Sequence, residues 1–196
     1  MMWPILLCSI IAVAIAVERF INLKREKVIH PDFLQEVRRK WQNSEFDQAI
    51  EVCGRHKIPM SRIVRAGLLR WKMGILEIER AVEGAGNHES TQLAANLRGL
   101  GVIANIAPML GLLGTVAGMI KAFDVISLSG TGNSAMVASG ISEALITTAS
   151  GLIVGIPVLA AYHFLRGRVD QLVFEMEEIS ITFMEEIGYN LQKKRE

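Results

Sequence analysis

Three stretches without a charged side chain divide this chain, and they constrain its fold more than any other feature. Met1 to Val17 (MMWPILLCSIIAVAIAV) is closed by Glu18 and Arg19. Gly99 to Ile120 (GLGVIANIAPMLGLLGTVAGMI) is closed by Lys121. Ala144 to Tyr162 (ALITTASGLIVGIPVLAAY) follows Glu143 and ends near Arg166. At a rise of about 1.5 Å per residue, the second and third are long enough to cross a hydrocarbon layer of about 30 Å, and the first stands at the short limit. Phe20, Ile21 and Leu23 extend the first run when Glu18 and Arg19 face protein or snorkel. Ala12, Ala14 and Ala16 have the small-residue spacing of a cleaved leader, yet nothing basic precedes Arg19, so a retained helix is the better reading. Pro108 and Pro157 demote neither later span, because neighbouring helices re-satisfy the backbone groups that a membrane proline frees.

Composition agrees with this division. Of 196 residues, 51% are hydrophobic and 21% charged, and the mean hydropathy of +0.32 lies above that of an ordinary soluble domain. This excludes a disordered chain and argues against a simple soluble enzyme. The 17 glycines, many inside apolar runs, are a membrane composition. Basic and acidic residues number 21 and 20, so nothing in the total charge suggests a nucleic-acid partner. Trp41 and Trp71 lie among basic residues, but acids are interleaved with them and a structural apolar face is expected there.

Catalytic chemistry does not assemble along the chain. His30, His56, His88 and His163 are scattered, with no HExxH, CxxC or P-loop, and Gly99-x-Gly101 lacks the rest of a dinucleotide fingerprint. Cys8 and Cys53 cannot build a disulfide framework or a four-ligand zinc site, and they are expected to be ordinary thiols on opposite sides of the barrier. The chain is therefore expected to be no enzyme and to hold no metal.

The fold expected is an all-α integral membrane protein with three transmembrane helices and a cytoplasmic helical domain, its long helices continuing from the membrane into the cytoplasm. Lysine and arginine crowd residues 18–99 and the tail from Arg166, whereas the loop after the second span has only Lys121 at its edge. The positive-inside rule then places 18–99 and 166–196 in the cytoplasm, with the N-terminus and the 121–142 hairpin outside. The expected boundaries are 1–21, 99–123 and 141–165 for the spans, 22–98 for the cytoplasmic helical region, 124–140 for the outward loop and 166–196 for the C-terminal helix.

Within 30–98, His30-Pro31-Asp32 opens a helix carrying Phe33, Leu34, Val37 and Trp41 at helical spacing. Ser44 has the chemistry of an N-cap for a second helix with Phe46, Ala49, Ile50 and Cys53 on one face. Ile58-Pro59 begins a third, expected to run through Ile63, Ala66, Leu69 and Met73 to Gly74. Ile78, Ala81, Val82, Leu93 and Leu97 form a fourth pattern leading into the second span. Leu172, Val173, Met176, Ile179, Phe183 and Ile187 continue the third span as a long helix.

Glu143 demands explanation, because an intramembrane carboxylate costs roughly 2.5–3.5 kcal/mol on insertion scales and is functional by default. At about 100° per residue, Thr147, Ser150, Val154 and Ala161 share its face, while Thr148 lies about 140° away. The rival reading keeps Glu143 at the headgroups as a favourable acid at a helix N-terminus. In the second span Gly111, Gly114 and Gly118 form a small-residue face suited to close packing, and Thr115 offers it a hydroxyl.

The run Ala107-Pro108-Met109-Leu110-Gly111-Leu112-Leu113-Gly114-Thr115-Val116 closely resembles the second-span signature of the MotA/TolQ/ExbB proton-channel family. Gly140-Ile141-Ser142-Glu143-Ala144-Leu145-Ile146-Thr147-Thr148-Ala149-Ser150-Gly151-Leu152, followed by Ile156-Pro157, is similar to its third-span signature. The likeness covers nearly the whole chain and is strongest from about residue 97 to 168. The short outer loops and the Glu143 motif resemble ExbB or TolQ more than MotA, which has four spans, and the hairpin and tail resemble ExbB more than TolQ.

The resemblance implies a motor subunit of the bacterial inner membrane, N-terminus periplasmic and C-terminus cytoplasmic, with protons as coupling ion and no other cofactor. It implies a homopentamer, embedded in membrane lipid, around a dimer of a single-span ExbD- or TolR-like partner whose membrane aspartate carries the proton. Movement would pass to a TonB- or TolA-like transducer, for outer-membrane import or, alternatively, envelope integrity or motility. Carried over by position, Thr115 and Thr148 match pore-side threonines and Glu143 the membrane glutamate. Thr147 stands where relatives often have alanine and adds a hydroxyl to this proton pathway. Pro108, Gly111, Gly114, Gly118, Gly151 and Pro157 fall to helix packing. A non-conducting membrane scaffold is the rival from another class; a substrate transporter wants inverted repeats that three unlike spans do not offer.

Overall fold

A computed structural model describes residues 2–43, 45–95, 97–129 and 134–193. Ser44, the expected N-cap, lies outside the described residues, as do Lys194 and Arg195 of the basic tail. The described residues form helices and turns: α1 (Met2–Asn22), α2 (Arg25–Val28), α3 (Pro31–Gln42), α4 (Phe46–Arg55), α5 (Pro59–Leu68), α6 (Ile75–Ala95), α7 (Arg98–Ser129) and α8 (Ser134–Lys193). Three helical stretches, one around each charge-free run, are long and apolar enough to cross a membrane. The chain divides into two compact units. One comprises Met1–Arg19 and Leu97–Leu165, the other Phe20–Asn96 and Arg166–Glu196.

The second unit is a helical bundle assembled from side chains. Pro31 and Pro59 occupy the first turns of α3 and α5, where a missing N–H is harmless, and the residues before them, His30 and Ile58, are extended. Phe33, Val37 and Trp41 of α3 are buried, together with Ala49, Val52 and Cys53 of α4 and Met60, Ile63, Val64 and Leu68 of α5. From the far end of α8, Val169, Leu172, Met176, Phe183 and Ile187 are buried at alternating spacings of three, four and seven. The Trp41 and Phe183 rings meet at 4.4 Å. The Glu186 carboxylate accepts from Trp41 Nε1 at 3.0 Å and from Arg38, and Arg25 donates to Glu175 at 2.7 Å. Between α5 and α6, Arg62 grips the buried Glu89 carboxylate with both arms of its guanidinium, at 2.6 and 2.5 Å. These bonds hold the Arg62 pKa above its ordinary value.

One expected boundary differs. The third helix of this region stops at Leu68 and not near Gly74: the Leu69 N–H closes on the Arg65 carbonyl, and a turn follows through Arg70 and Trp71. Trp71 stacks on Phe46 at 4.6 Å with the planes 19° apart, which holds that turn against α4, and Gly74 takes a φ of 104° that a side chain would resist. Past the expected spans, α7 continues to Ser129 and α8 starts at Ser134, so both helices run into the 124–140 segment. Small residues explain the extension, since an added Cβ at Gly140 would still touch Ala122 at 3.4 Å, beyond the apolar run of α7.

Candidate functional site

The first unit is built on an antiparallel hairpin of α7 and the first half of α8, and glycine positions define how closely the two helices approach. An added Cβ at Gly151 would stand 2.6 Å from the Ala107 carbonyl oxygen and 3.0 Å from the Gly111 Cα, so backbone lies directly on backbone. At Gly118 it would meet the Ala144 methyl at 2.6 Å, at Gly114 the Thr147 side chain, and at Gly101 the Tyr162 ring at 3.1 Å. Gly155 faces the Pro108 ring, where the added atom would lie 2.5 Å from Cγ and 3.4 Å from the Ala104 carbonyl oxygen. That carbonyl is the one that Pro108 deprives of its helical donor. Each packing residue named from the glycine pattern of α7 thus lies in the seam, and Gly140 and Gly155 join them.

The polar residues divide around this seam. Thr148 Oγ1 donates across it to the Gly111 carbonyl at 2.9 Å, the one hydroxyl that joins the two helices among the described residues. Thr147 is buried, its methyl against Gly114 and its hydroxyl donating to the Glu143 carbonyl at 2.8 Å. Thr115 is half-buried and its Oγ1 donates to the Leu112 carbonyl at 2.6 Å. Ser150 bonds the Ile146 carbonyl. The Glu143 side chain is exposed. An unpaired hydroxyl would be costly here, and back-bonding to the preceding turn is how each of these except Thr148 avoids that state.

The packing of α1 tells the two flanks of the hairpin apart. An added Cβ at Gly99 would meet Ile15 of α1 at 3.3 Å, and a groove between α1 and α8 is lined by Met2, Trp3, Leu6, Ser9, Ser150 and Val154. At about 100° per residue, Glu143 falls on this α1 flank of α8, with Ser150 and Val154, about two and three turns nearer the N-terminus of α8. Thr115 and Thr148 fall on the opposite flank. The structure therefore brings Thr147 and Thr148 to the seam with Gly111 and Gly114, and it does not bring the Glu143 carboxylate to the threonines within one hairpin.

One polar residue escapes the charge-based reading. Asn105 of α7 is exposed, and its Nδ2 donates to the Gly101 carbonyl at 2.9 Å. The signal was available, because Asn105 and Thr115 are the two side chains in Gly99–Ile120 that carry nitrogen or oxygen. No cluster of three or more potential metal ligands occurs among the described residues.

An all-helical membrane protein whose second and third long helices meet through a glycine seam is the class this architecture defines. Comparison with known proteins gives the family. The model of the MotA/TolQ/ExbB proton channel family matches residues 55–178. A biopolymer transport protein ExbB homolog of Methanothermobacter thermautotrophicus is 30% identical over 165 residues, covering 84% of this chain and 58% of that protein. A biopolymer transport protein ExbB-like 1 of Synechocystis sp. is 33% identical over 177 residues, covering 84% and 66%. The Tol-Pal system protein TolQ of Haemophilus influenzae is 41% identical over 93 residues, covering 47% and 41%. The chain spans between 41% and 66% of the length of these three relatives. It belongs to the MotA/TolQ/ExbB proton channel family.

Proposed function

We propose that this chain is the ExbB- or TolQ-type subunit of a proton-driven motor in the bacterial inner membrane. Copies of it form a ring, a pentamer on the family likeness, around a single-span ExbD- or TolR-like dimer that carries the proton-binding carboxylate. The lysine and arginine distribution supports an orientation with 18–99 and 166–196 in the cytoplasm. A single hairpin encloses nothing, whereas a closed ring of heterologous contacts creates an axis that all copies share. The threonine flank, with Thr115 and Thr148, faces that axis, and Glu143, on the α1 flank of each copy, meets the threonine flank of the next copy at its outer rim. Protons entering this path release about 2.3 kcal/mol per charge for each 100 mV, enough to bias a helix between two packings. A TonB- or TolA-like transducer receives the motion.

The observation that carries this reading is the family match over the hairpin that holds Thr115, Thr148 and Glu143. The test is proton flux into vesicles loaded with a pH dye, made from cells that express the chain with its native partners. Thr115→Val and Glu143→Gln are expected to lower the flux about tenfold or more, the scale of one lost hydrogen bond to a charged group, with the mass of the extracted complex unchanged. Normal flux in both variants would remove the proton path. The scaffold reading has one observation in its favour, that the Thr147 and Thr148 hydroxyls are both engaged inside the hairpin. It expects Thr148→Val to alter stability alone. ExbB and TolQ relatives both match, so the process served is assigned by the partner: mass spectrometry of what copurifies after gentle extraction distinguishes import, the favoured assignment, from envelope maintenance.

A further inference from the structure

Asn105 is a carboxamide on the outer surface of a spanning helix, among Val102, Ile106, Met109 and Leu112, all exposed and apolar. One N–H is engaged on the Gly101 carbonyl at 2.9 Å, which leaves a second N–H and the Oδ1 acceptor of this exposed side chain for other partners. Hydrocarbon offers neither group a partner, so a lipid-facing position is disfavoured for this side chain. Its position on α7 decides which surface this is. Taking Gly111 as the line facing α8, Thr115 lies about 40° round the helix and Asn105 about 120° round in the same sense, while Gly99, the contact of α1, lies on the opposite side. On α8, His163 shares the flank of Thr148, is exposed, and meets the edge of Tyr162 at 5.3 Å between ring centres. Tyr162 packs on Gly101, which puts His163 about one turn inward of Asn105. The flank away from α1 therefore holds Thr115 and Thr148 in its outer half and Asn105 and His163 in its inner half.

We infer that Asn105 is a proton-path residue in the inner half of the interior flank, its free amide edge holding the water or polar partner group that continues the path from Thr115 toward His163. The inference rests on the proton-path reading above and extends it to a residue outside the family signature quoted for this chain. It also fixes which face of the hairpin is shielded from lipid.

The experiment measures dye-reported proton flux in vesicles from cells expressing the chain with its native partners, alongside the mass and melting temperature of the extracted complex. Asn105→Leu is expected to lower flux about tenfold at unchanged complex mass, and Asn105→Ser, which keeps a donor and an acceptor, to restore most of it. Wild-type flux in Asn105→Leu would overturn the inference. So would a loss of complex mass in step with flux, which would make the amide a contact between subunits. If Thr115→Val and Glu143→Gln abolish flux while Asn105→Leu does not, this inference alone fails. If all three conduct normally, the underlying reading fails with it.

Discussion

The two units solve the same packing problem with opposite means. In the membrane unit the contact between α7 and α8 is backbone on backbone, with Gly151 against Ala107 and Gly111 and with Gly118 against Ala144. In the helical bundle it is side chain on side chain, with Phe183 between Trp41 and Gly67 and with Glu89 held by Arg62. The difference follows from the solvent each kind of surface meets. Apolar burial drives the bundle, so large side chains carry its stability and charged groups close its rim. Between helices already in hydrocarbon that drive is absent, and close approach, dispersion and interhelical hydrogen bonds remain. Small residues are then the adhesive of one unit; in the other, Gly54, Gly84, Gly86 and Gly167 have nothing within 4 Å of an added Cβ, and Gly67 makes room for the large side chains of Val82 and Phe183.

The largest effect that would break this contrast is at Gly151. Gly151→Val puts branched carbon where an added Cβ already stands 2.6 Å from a carbonyl oxygen, and neither backbone can retreat without parting the hairpin. Overpacking costs roughly 1–3 kcal/mol where side chains can shift; here the obstacle is backbone, so the whole seam is lost and the effect is larger. We expect little folded protein to be extracted, measured as monodisperse yield. A normal yield would show that the helices can separate and that the seam is not what holds them. Next in size is Phe183→Ala in the bundle. Phe183 is 1% exposed, and losing its ring should cost about 3–5 kcal/mol, read from the denaturation midpoint of the extracted protein.

The same contrast explains what could be read from sequence. Bundle residues announce themselves because large apolar side chains recur at helical spacing: Phe33, Val37 and Trp41, or Leu172, Met176, Phe183 and Ile187, are buried as the pattern requires. The three helices long and apolar enough to cross a membrane were equally plain from the missing charges. Other features were illegible for definite reasons. The end of α5 at Leu68 depends on Trp71 reaching Phe46 on another helix, a contact that no local pattern encodes. The lengthening of α7 and α8 past their apolar runs depends on Ala122 meeting Gly140, and residues this small have little hydropathy to signal with. Thr147, matched to a position where relatives often have alanine, was read as a polar addition, yet it is buried with its methyl on Gly114. The angular separation of Glu143 from Thr148 followed from helical geometry alone. Which of the two lay beside α1 could not be read before tertiary contacts were known.

A third prediction concerns a bundle group that tests burial through pH. Burial pushes the Cys53 thiol up to about 12 from 9.0, partly offset by the Arg65 charge. The unfolded chain loses this proton above about 9 and the folded one keeps it to about 12, so the contribution is intact below 9 and is lost as pH rises through that window. Between pH 7 and 10 the bundle should lose about 1.4 kcal/mol from this group, one unit of linkage. Cys53→Ala should remove that part of the pH dependence in urea unfolding. An unchanged slope would place the thiol in contact with water.

The smallest effect compares one substitution at two glycines. Gly84 lies inside α6 with nothing within 4 Å of an added Cβ, whereas at Gly118 that atom would meet the Ala144 methyl at 2.6 Å and the Gly140 carbonyl at 3.1 Å. In a helix interior alanine is better than glycine by about 0.8–1.0 kcal/mol when space is free. Gly84→Ala should therefore stabilise the isolated chain by up to that amount, and Gly118→Ala should destabilise it, both read as shifts in melting temperature. The opposite signs would confirm that glycine is structural in the seam and incidental on α6. If instead Gly84→Ala leaves the isolated chain stable but breaks the extracted complex, then glycine on α6 serves the same purpose as in the seam, with the approaching backbone supplied by another subunit.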